Sequence, residues 1–309
     1  MMAPYSQTEL PAKQHKLKRM WKNPKLEHYM RLVAMVSILN VIALIYGVTT
    51  GNWFAKEGIQ LQYVSNMVIA NFFVAVIIRQ QYVINLLFWL ATRAPTTWPL
   101  SIRWHLGKVY HHGGLHSGCA INGSLWFAVY AGSLLYHYSQ NLGGVSTTSM
   151  SITLVIVAVL IVMITMATPN ICKKYHNAFE ASHRFASWSL LLLFWAQTLT
   201  LTLSQYSDMS MTDIVLNTPS IWALFVMTFS VALPWMRLKR VPVEISTPSN
   251  HVALLKFDYG VTPFAGSSMA ISRSPLMEWH HFANVPSPTE SGYRLTVSRA
   301  GDWTTRADH

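Results

Sequence analysis

The chain has 309 residues and a formal net charge of +11, from 23 Lys and Arg against 12 Asp and Glu. Hydrophobic residues make up 51% and charged residues only 11%, whereas a soluble globular domain has about 25% charged residues. With a mean hydropathy of +0.27, this composition excludes an intrinsically disordered chain and argues against a soluble domain. It also argues against nucleic-acid binding, which needs basic residues clustered on one face of a soluble module.

Six apolar stretches predict membrane-spanning helices, because each approaches the roughly 20 residues that cross a bilayer. They cover residues 30–49, 61–79, 104–136, 150–168, 179–203 and 219–236. A shorter apolar stretch, residues 82–90, is expected to rest at the membrane interface. If the N-terminus is cytosolic, 22 of the 23 basic residues fall on the cytosolic side and only Lys56 falls outside. The positive-inside rule therefore predicts a multi-pass membrane protein with both termini in the cytosol.

Histidines in the third and fifth stretches form a candidate haem site, since ionisable residues inside a span usually mark function. On a continuous α-helix, His105, His112 and His116 lie within roughly 20° of one line. His183 lies in the fifth stretch, seven residues after His176 and on the same helix face. The two stretches run in the same direction, so their imidazoles can face one another and bind one haem iron from both sides.

Small residues beside these histidines would let a flat macrocycle approach the helix. They are Gly113, Gly114, Ser117 and Gly118. The alternative, given equal weight, is that the small residues pack helices closely and the histidines hydrogen-bond between helices.

After residue 240 the composition changes to short alternating stretches divided by Pro, Gly and Ser. Val252–Phe257 and Tyr293–Ser298 alternate between apolar and polar residues, which predicts antiparallel strands on the cytosolic side of the last span. Two motifs stand out in this region. They are E-W-H-H-F-A-N at residues 278–284 and V-S-R-A-G-D-W-T at residues 297–304.

With these two motifs in this order after six apolar stretches, the chain resembles the ferric reductase and NADPH oxidase superfamily over essentially its whole length. It looks most similar to a fungal subgroup of integral membrane ferric-reductase-like proteins linked to development and secondary metabolism. The resemblance implies that electrons pass from a cytosolic nicotinamide to FAD in a β-barrel, and then singly through haem to ferric iron or dioxygen. It implies FAD contacts for His280, His281, Phe282, Asn284 and Arg299. It also implies that His116 is the outer haem-iron ligand of the third stretch and that His183 is the inner haem-iron ligand of the fifth.

The chain departs from the superfamily pattern in its haem ligands and at its C-terminus. The superfamily's ligands lie 13 or 14 residues apart on one helix, but from His183 this spacing reaches Ala196 and Gln197. One haem is therefore expected rather than two, held by His183 with His105 or His112. No G-x-G-x-x-G motif or nucleotide-binding α/β domain is present. This predicts a truncated product, or a separate NAD(P)H-dependent reductase as electron donor, or a loss of redox chemistry.

The predicted fold is a membrane all-α six-helix bundle followed by a partial antiparallel β-barrel of the FAD-binding type. The expected segments are a basic cytosolic N-terminus (1–29), the membrane domain (30–236) and the partial barrel (237–309). The expected function is a transmembrane oxidoreductase that passes electrons through FAD and one haem to an acceptor in or across the lipid bilayer. No catalytic residue is assigned. Two alternatives stay open: a non-catalytic membrane scaffold or signalling relic of the same superfamily, and a membrane tailoring oxidoreductase of a biosynthetic pathway.

Overall fold

The protein is described by a computed structural model that covers most of the chain. The described residues are 12–13, 15–21, 23, 26–55, 58–142, 145–205, 210–260, 263, 267–286, 292–299 and 302–305. Lys56, the one basic residue predicted on the outer side, lies outside them. The chain divides into two compact units. The helical unit comprises residues 1–174 and 182–231, and the sheet unit comprises residues 175–181 and 232–309.

Helices occupy the apolar stretches of the sequence and end where polar residues, Gly or Pro interrupt them. They are α1 (Lys16–Trp21), α2 (His28–Thr49), α3 (Leu61–Ile77), α4 (Gln81–Thr92), α5 (Leu100–Leu106), α6 (Gly113–Ser139), α7 (Thr147–Met166), α8 (Pro169–Lys174), α9 (His176–Gln205), α10 (Met211–Asn217), α11 (Pro219–Met236) and α12 (Asp302–Thr305). A 3-10 helix, Gly107–His112, joins α5 to α6. Two short strands, β1 (Phe54–Ala55) and β2 (Gly58–Ile59), pair between α2 and α3.

The predicted six-helix membrane bundle is wrong as an account of the described residues. By length and composition, five helical segments there could cross a membrane. They are His28–Thr49, Leu100–Ser139, Thr147–Met166, His176–Ser204 and Pro219–Met236. The second predicted span is instead the pair α3 and α4, which meet at a bend of 68°. The polar residues Arg79 and Gln80 interrupt the apolar run there, and α3 ends after 17 residues.

The core of the helical unit is built around α6. Trp126, Phe127, Tyr130 and Leu134 of this helix are each at most 5% exposed and belong to one buried cluster. The same cluster takes in side chains from α3, α7, α9 and α11. Burying an apolar side chain of this size contributes roughly 1.5–3 kcal/mol. The packing around α6 therefore fixes the positions of its neighbours, including α9, which carries His183.

The sheet unit contains five antiparallel strands in the order β3-β4-β7-β6-β5. They are β3 (Val243–Ser249), β4 (Val252–Phe257), β5 (Ser268–Ile271), β6 (His280–Pro286) and β7 (Tyr293–Ser298). The predicted strands Val252–Phe257 and Tyr293–Ser298 pair along their whole length. The rings of Phe257 and Tyr293 stack with centroids 5.0 Å apart. Gly292 allows this register because its φ is +90° and a Cβ there would overlap the Phe257 carbonyl oxygen.

The predicted barrel is also wrong, because the five strands form an open sheet. β3 and β5 are its two edges and pair only with β4 and β6. All seven residues of β3 are exposed. Closing a barrel needs a continuous ladder around the sheet, and the four-residue strand β5 forms no ladder with β3 in the described part of the chain.

Candidate functional site

His116 and His183 face one another within the helical unit. His116 lies in the first turn of α6 and His183 lies in α9, and their ring centroids are 6.2 Å apart with an interplanar angle of 65°. Nδ1 of His116 is 2.8 Å from the backbone carbonyl oxygen of Ala75 in α3. A carbonyl oxygen only accepts, so Nδ1 carries the hydrogen and Nε2 keeps its lone pair. This is the tautomer that a metal-binding imidazole with a backbone acceptor adopts.

The separation of the two rings fits a shared metal ion. With metal–nitrogen bonds of about 2 Å, two imidazoles on opposite sides of one iron have ring centres roughly 6 Å apart. Arg79 follows the end of α3 and lies four residues after Ala75, whose carbonyl oxygen holds His116. A cation at this level suits a cofactor with carboxylate groups, as haem has. The donor set and spacing therefore fit a haem with two histidine ligands.

The facing partner of His183 is His116, whereas His105 and His112 make other contacts. His105 lies in α5, where its ring contacts are to His28 and Trp104, and its Nδ1 bonds the Ser101 carbonyl oxygen. Nδ1 of His112 is 3.2 Å from the carbonyl oxygen of Val109.

The expectation that His105 lies in line with His112 and His116 on one helix face is wrong. It assumed a continuous α-helix, but Gly107–His112 is a 3-10 helix. Each residue there turns about 120° instead of 100°, so the line of histidines is broken before α6 begins.

The small residues beside His116 pack α6 against α2, as the alternative interpretation expected. A Cβ on Gly114 would lie 2.5 Å from the backbone oxygen of Tyr29, and one on Gly118 would lie 3.1 Å from the Cα of Val33. The Ser117 hydroxyl forms a hydrogen bond with the Tyr29 hydroxyl. These residues therefore bring two helix backbones together and do not make space beside a cofactor.

A second contact between α6 and α9 lies about three helical turns further along both helices. Phe127 and Phe194 each come eleven residues after the facing histidines, and their rings meet edge to face at 5.7 Å. Beyond them, Gln197 donates from Nε2 to the Tyr130 hydroxyl at 3.1 Å and to Ser149 Oγ at 2.9 Å. These hydrogen bonds tie α6, α7 and α9 together.

Sequence reasoning missed a further polar cluster in the interior of the helical unit. Asn40 of α2 and Asn71 of α3 exchange side-chain hydrogen bonds of 3.1 and 2.7 Å. The Trp126 indole donates to Asn40 Oδ1 at 2.9 Å. The two asparagines, 31 residues apart, stand in otherwise apolar stretches, and that isolated polarity is the signal that could have located them.

In the sheet unit, the two sequence motifs meet. The ring of Trp303, from the second motif, lies 4.4 Å from the ring of His280 and 5.9 Å from that of Phe282. The guanidinium carbon of Arg273 lies over the ring of Trp303, 5.4 Å from its centroid, and Arg273 donates a hydrogen bond to the Trp303 backbone oxygen. Arg273 was not predicted from the sequence. Ala300 and Gly301 of the second motif lie outside the described residues.

The five predicted FAD contacts do not lie on one surface. His280, Phe282 and Asn284 alternate along β6 and share one face, where Asn284 is buried and donates to the Ser267 hydroxyl. His281 is exposed on the opposite face of β6. Arg299 is exposed after the end of β7, with a guanidinium NH group 3.5 Å from the Asn250 carbonyl oxygen.

The buried face of β6 carries two polar atoms with no protein partner in the described part of the chain. They are His280 Nε2 and Asn284 Oδ1. Together with the Trp303 and Phe282 rings, they give this face the aromatic and hydrogen-bonding character that suits a flavin. His281, on the opposite face, does not contribute to it.

Comparison with known proteins finds two relatives that match nearly the whole chain. Both come from Coprinopsis cinerea strain Okayama-7. Adenylate-forming reductase 03009 is 39% identical over 305 residues, which is 98% of this chain but 29% of the relative. Adenylate-forming reductase 06235 is 35% identical over 304 residues, again 98% of this chain and 29% of the relative. The chain thus spans less than a third of the length of these curated relatives. No protein-family model matches it.

Proposed function

We propose that this chain is the electron-transfer part of a membrane-bound oxidoreductase, with haem held in its helical unit and FAD held by its sheet unit. The observation that carries the proposal is the facing pair His116 and His183, 6.2 Å apart between ring centroids. When bound, haem supplies one-electron transfer, and FAD accepts two electrons and releases them singly. Both relatives are named as reductases, which supports an oxidoreductase, although neither name refers to haem or FAD.

The outward faces of the helices support a place in the lipid bilayer. In α2, Ile38 is 60% exposed, Ile42 is 56% exposed and Val48 is 59% exposed, and in α9 Leu192 is 71% exposed. Water-soluble proteins rarely show contiguous apolar surface of this extent. We propose that lipid covers these faces, with both termini on the cytosolic side, as the distribution of basic residues predicts.

The residues around the histidine pair would hold and orient the cofactor. The Ala75 carbonyl oxygen fixes the ring of His116 and directs its Nε2 lone pair away from α3. The edge-to-face pair of Phe127 and Phe194 lies beyond the histidines and is at most 7% exposed. These rings keep water from that side of the pair, and a dry surrounding is one of the factors that set a redox potential.

In the sheet unit, His280, Phe282 and Trp303 would present aromatic surface to the flavin ring. Asn284 supplies a hydrogen-bonding group on the same face. An NAD(P)H-dependent reductase is the proposed electron source.

Reduced-minus-oxidised spectra of membranes that contain the full chain test the haem proposal. Wild type is expected to show a b-type haem band, and His116→Ala and His183→Ala are each expected to abolish it. His105→Ala and His112→Ala are matched controls and should leave the band unchanged. The absence of a haem band in wild type, or its survival in the His116 and His183 variants, would refute the haem proposal.

A second candidate function is a non-catalytic membrane scaffold. It is favoured by the bond of His116 to Ala75 and by the buried cluster of Asn40, Asn71 and Trp126, since such groups hold helices together without redox chemistry. A scaffold predicts that His116→Ala lowers the melting temperature of the chain while wild-type membranes contain neither haem nor flavin. The presence of either cofactor in stoichiometric amount would exclude it.

A further inference from the structure

A cavity of about 230 Å³ lies in the helical unit where α3 and α11 begin and α9 ends. By liquid-water volume it has room for roughly seven or eight water molecules, which is also the size of one substituted aromatic ring. Exposed side chains among its lining are Gln62, Asn66 and Asn217, and deeper residues include Phe127 and Tyr130. It lies beyond the aromatic layer that follows the histidine pair, so it is separate from the proposed haem site.

Among the described residues, the lining of the cavity carries no ionisable acid or base apart from the Tyr130 phenol. None of the residues that line it is Asp, Glu, Lys, Arg or His. A charged ligand placed there would lose its hydration without gaining a counter-charge, at a large cost in free energy. The cavity therefore selects a neutral molecule.

Three hydroxyl-bearing residues in the lining point to a ligand with hydrogen-bonding oxygens. Thr202, Thr218 and Ser220 are 6%, 9% and 7% exposed. Within the described residues, their side-chain hydroxyls form no hydrogen bond to the protein. Gln197 Oε1, also in the lining, is buried and has no hydrogen-bond partner in the described part of the chain. A ligand or water in the cavity would supply partners for these groups.

Aromatic side chains form the inner wall. Phe127, Phe194 and Tyr130 are 2%, 7% and 3% exposed and belong to the lining. Ring faces and edges favour a flat ring as partner. The Tyr130 hydroxyl is already held by Gln197, so the phenol ring is fixed in place.

We propose that this cavity binds a neutral, single-ring molecule carrying carbonyl or hydroxyl oxygens, of the quinone or phenol class. The ring lies against the aromatic wall, and its oxygens bond Thr202, Thr218 and Ser220. This binding goes beyond the proposed electron transfer and does not require haem or FAD to be present.

Equilibrium dialysis of the full chain in phosphatidylcholine nanodiscs tests the proposal, with empty nanodiscs as the blank for partition into lipid. The probes are tetramethyl-1,4-benzoquinone, which is neutral, and tetramethylbenzoate, an anion of similar size. We expect saturable binding of the quinone at one site per chain, and binding of the anion roughly 100-fold weaker. Equal binding of the two probes, or only unsaturable partition, would overturn the proposal.

Two variants locate the bound quinone. Thr198→Phe fills the cavity and should weaken binding at least about tenfold, whereas Thr200→Phe, two residues on in α9 and outside the lining, should not. Thr202→Val keeps the shape of the side chain, removes its hydroxyl and should weaken binding about threefold to tenfold. Thr202→Val also covers the case in which Thr198→Phe fails to fold. Unchanged affinity in the folded cavity variants would place the quinone elsewhere.

Discussion

The side chains of Tyr130 and Gln197 are joined by a hydrogen bond of 3.1 Å, and each residue comes fourteen positions after one of the facing histidines. In the superfamily that the sequence resembles, ligands of a second haem stand at this spacing. Here the same level of α6 and α9 holds a phenol and an amide, with Ser149 of α7 as a third member. The hydrogen-bonded phenol and the amide therefore do not replace the two histidine ligands of a second haem.

We therefore predict one haem per chain. The ratio of haem to protein in the purified chain, measured by pyridine haemochrome and amino-acid analysis, should be about one. A ratio of two would show that a second haem also binds at the level of Tyr130 and Gln197. It would contradict the interpretation that these two residues stand in place of a second pair of haem ligands.

Gln197→Leu is expected to lower the free energy of unfolding by about 1–2 kcal/mol. The amide is only 4% exposed, and its loss leaves the hydroxyls of Tyr130 and Ser149 without this partner in the interior. Gln140→Leu, at the exposed end of α6, is the control and should change stability little. Thermal unfolding in detergent, followed by circular dichroism, compares the two, and equal effects would argue against a structural role for Gln197.

Gly114→Ala is expected to destabilise the helical unit by about 1–3 kcal/mol. The added Cβ would lie 2.5 Å from the Tyr29 backbone oxygen, so α2 and α6 must separate. Gly132→Ala, on the same helix, meets nothing within 4 Å and should be neutral or stabilising by up to about 1 kcal/mol through helix propensity. Melting temperatures that do not separate the two variants would disprove close packing at Gly114.

The two faces of β6 give a matched pair of substitutions for the proposed flavin contact. His280→Ala removes a ring that packs on Trp303 and should lower flavin affinity about threefold to tenfold. His281→Ala changes the neighbouring residue on the opposite face and should leave affinity within about twofold. Flavin fluorescence after acid extraction of the purified chain measures both. Equal losses of flavin affinity in the two variants would contradict flavin binding on the His280 face of β6.

Periodicity and apolar length were enough to locate individual helices and the main strands. α7 (Thr147–Met166) and α11 (Pro219–Met236) cover the stretches where apolar runs stood between polar ends. The 68° bend between α3 and α4 and the 3-10 helix before α6 were not visible, since both depend on how short polar breaks are packed in three dimensions. The open sheet was missed because strand patterns specify alternation but not which edges meet.

The candidate site could be predicted only in part, for the same reason. The spacing of the histidines and the direction of their helices located His116 and His183, but the expected haem pair was His183 with His105 or His112. The structure instead brings His183 to His116. His105 was grouped with them because the helix was taken to be continuous. The contacts of Arg273 and Trp303 join residues 30 positions apart, and no local pattern records such a pairing.

The contacts of Gly114 and Gly118 with α2 also affect how closely the ligand distances at a metal site can be maintained. Ligand distances at a metal site must be kept within about 0.2 Å, a demand that flexible side-chain packing meets poorly. His116 lies between these two glycines on α6, where backbone touches backbone and no rotamer change can relax the contact. The main chain of α2 thus helps to fix the position of the His116 imidazole. Substitutions in α2 that approach no cofactor should therefore shift the spectrum of a bound haem.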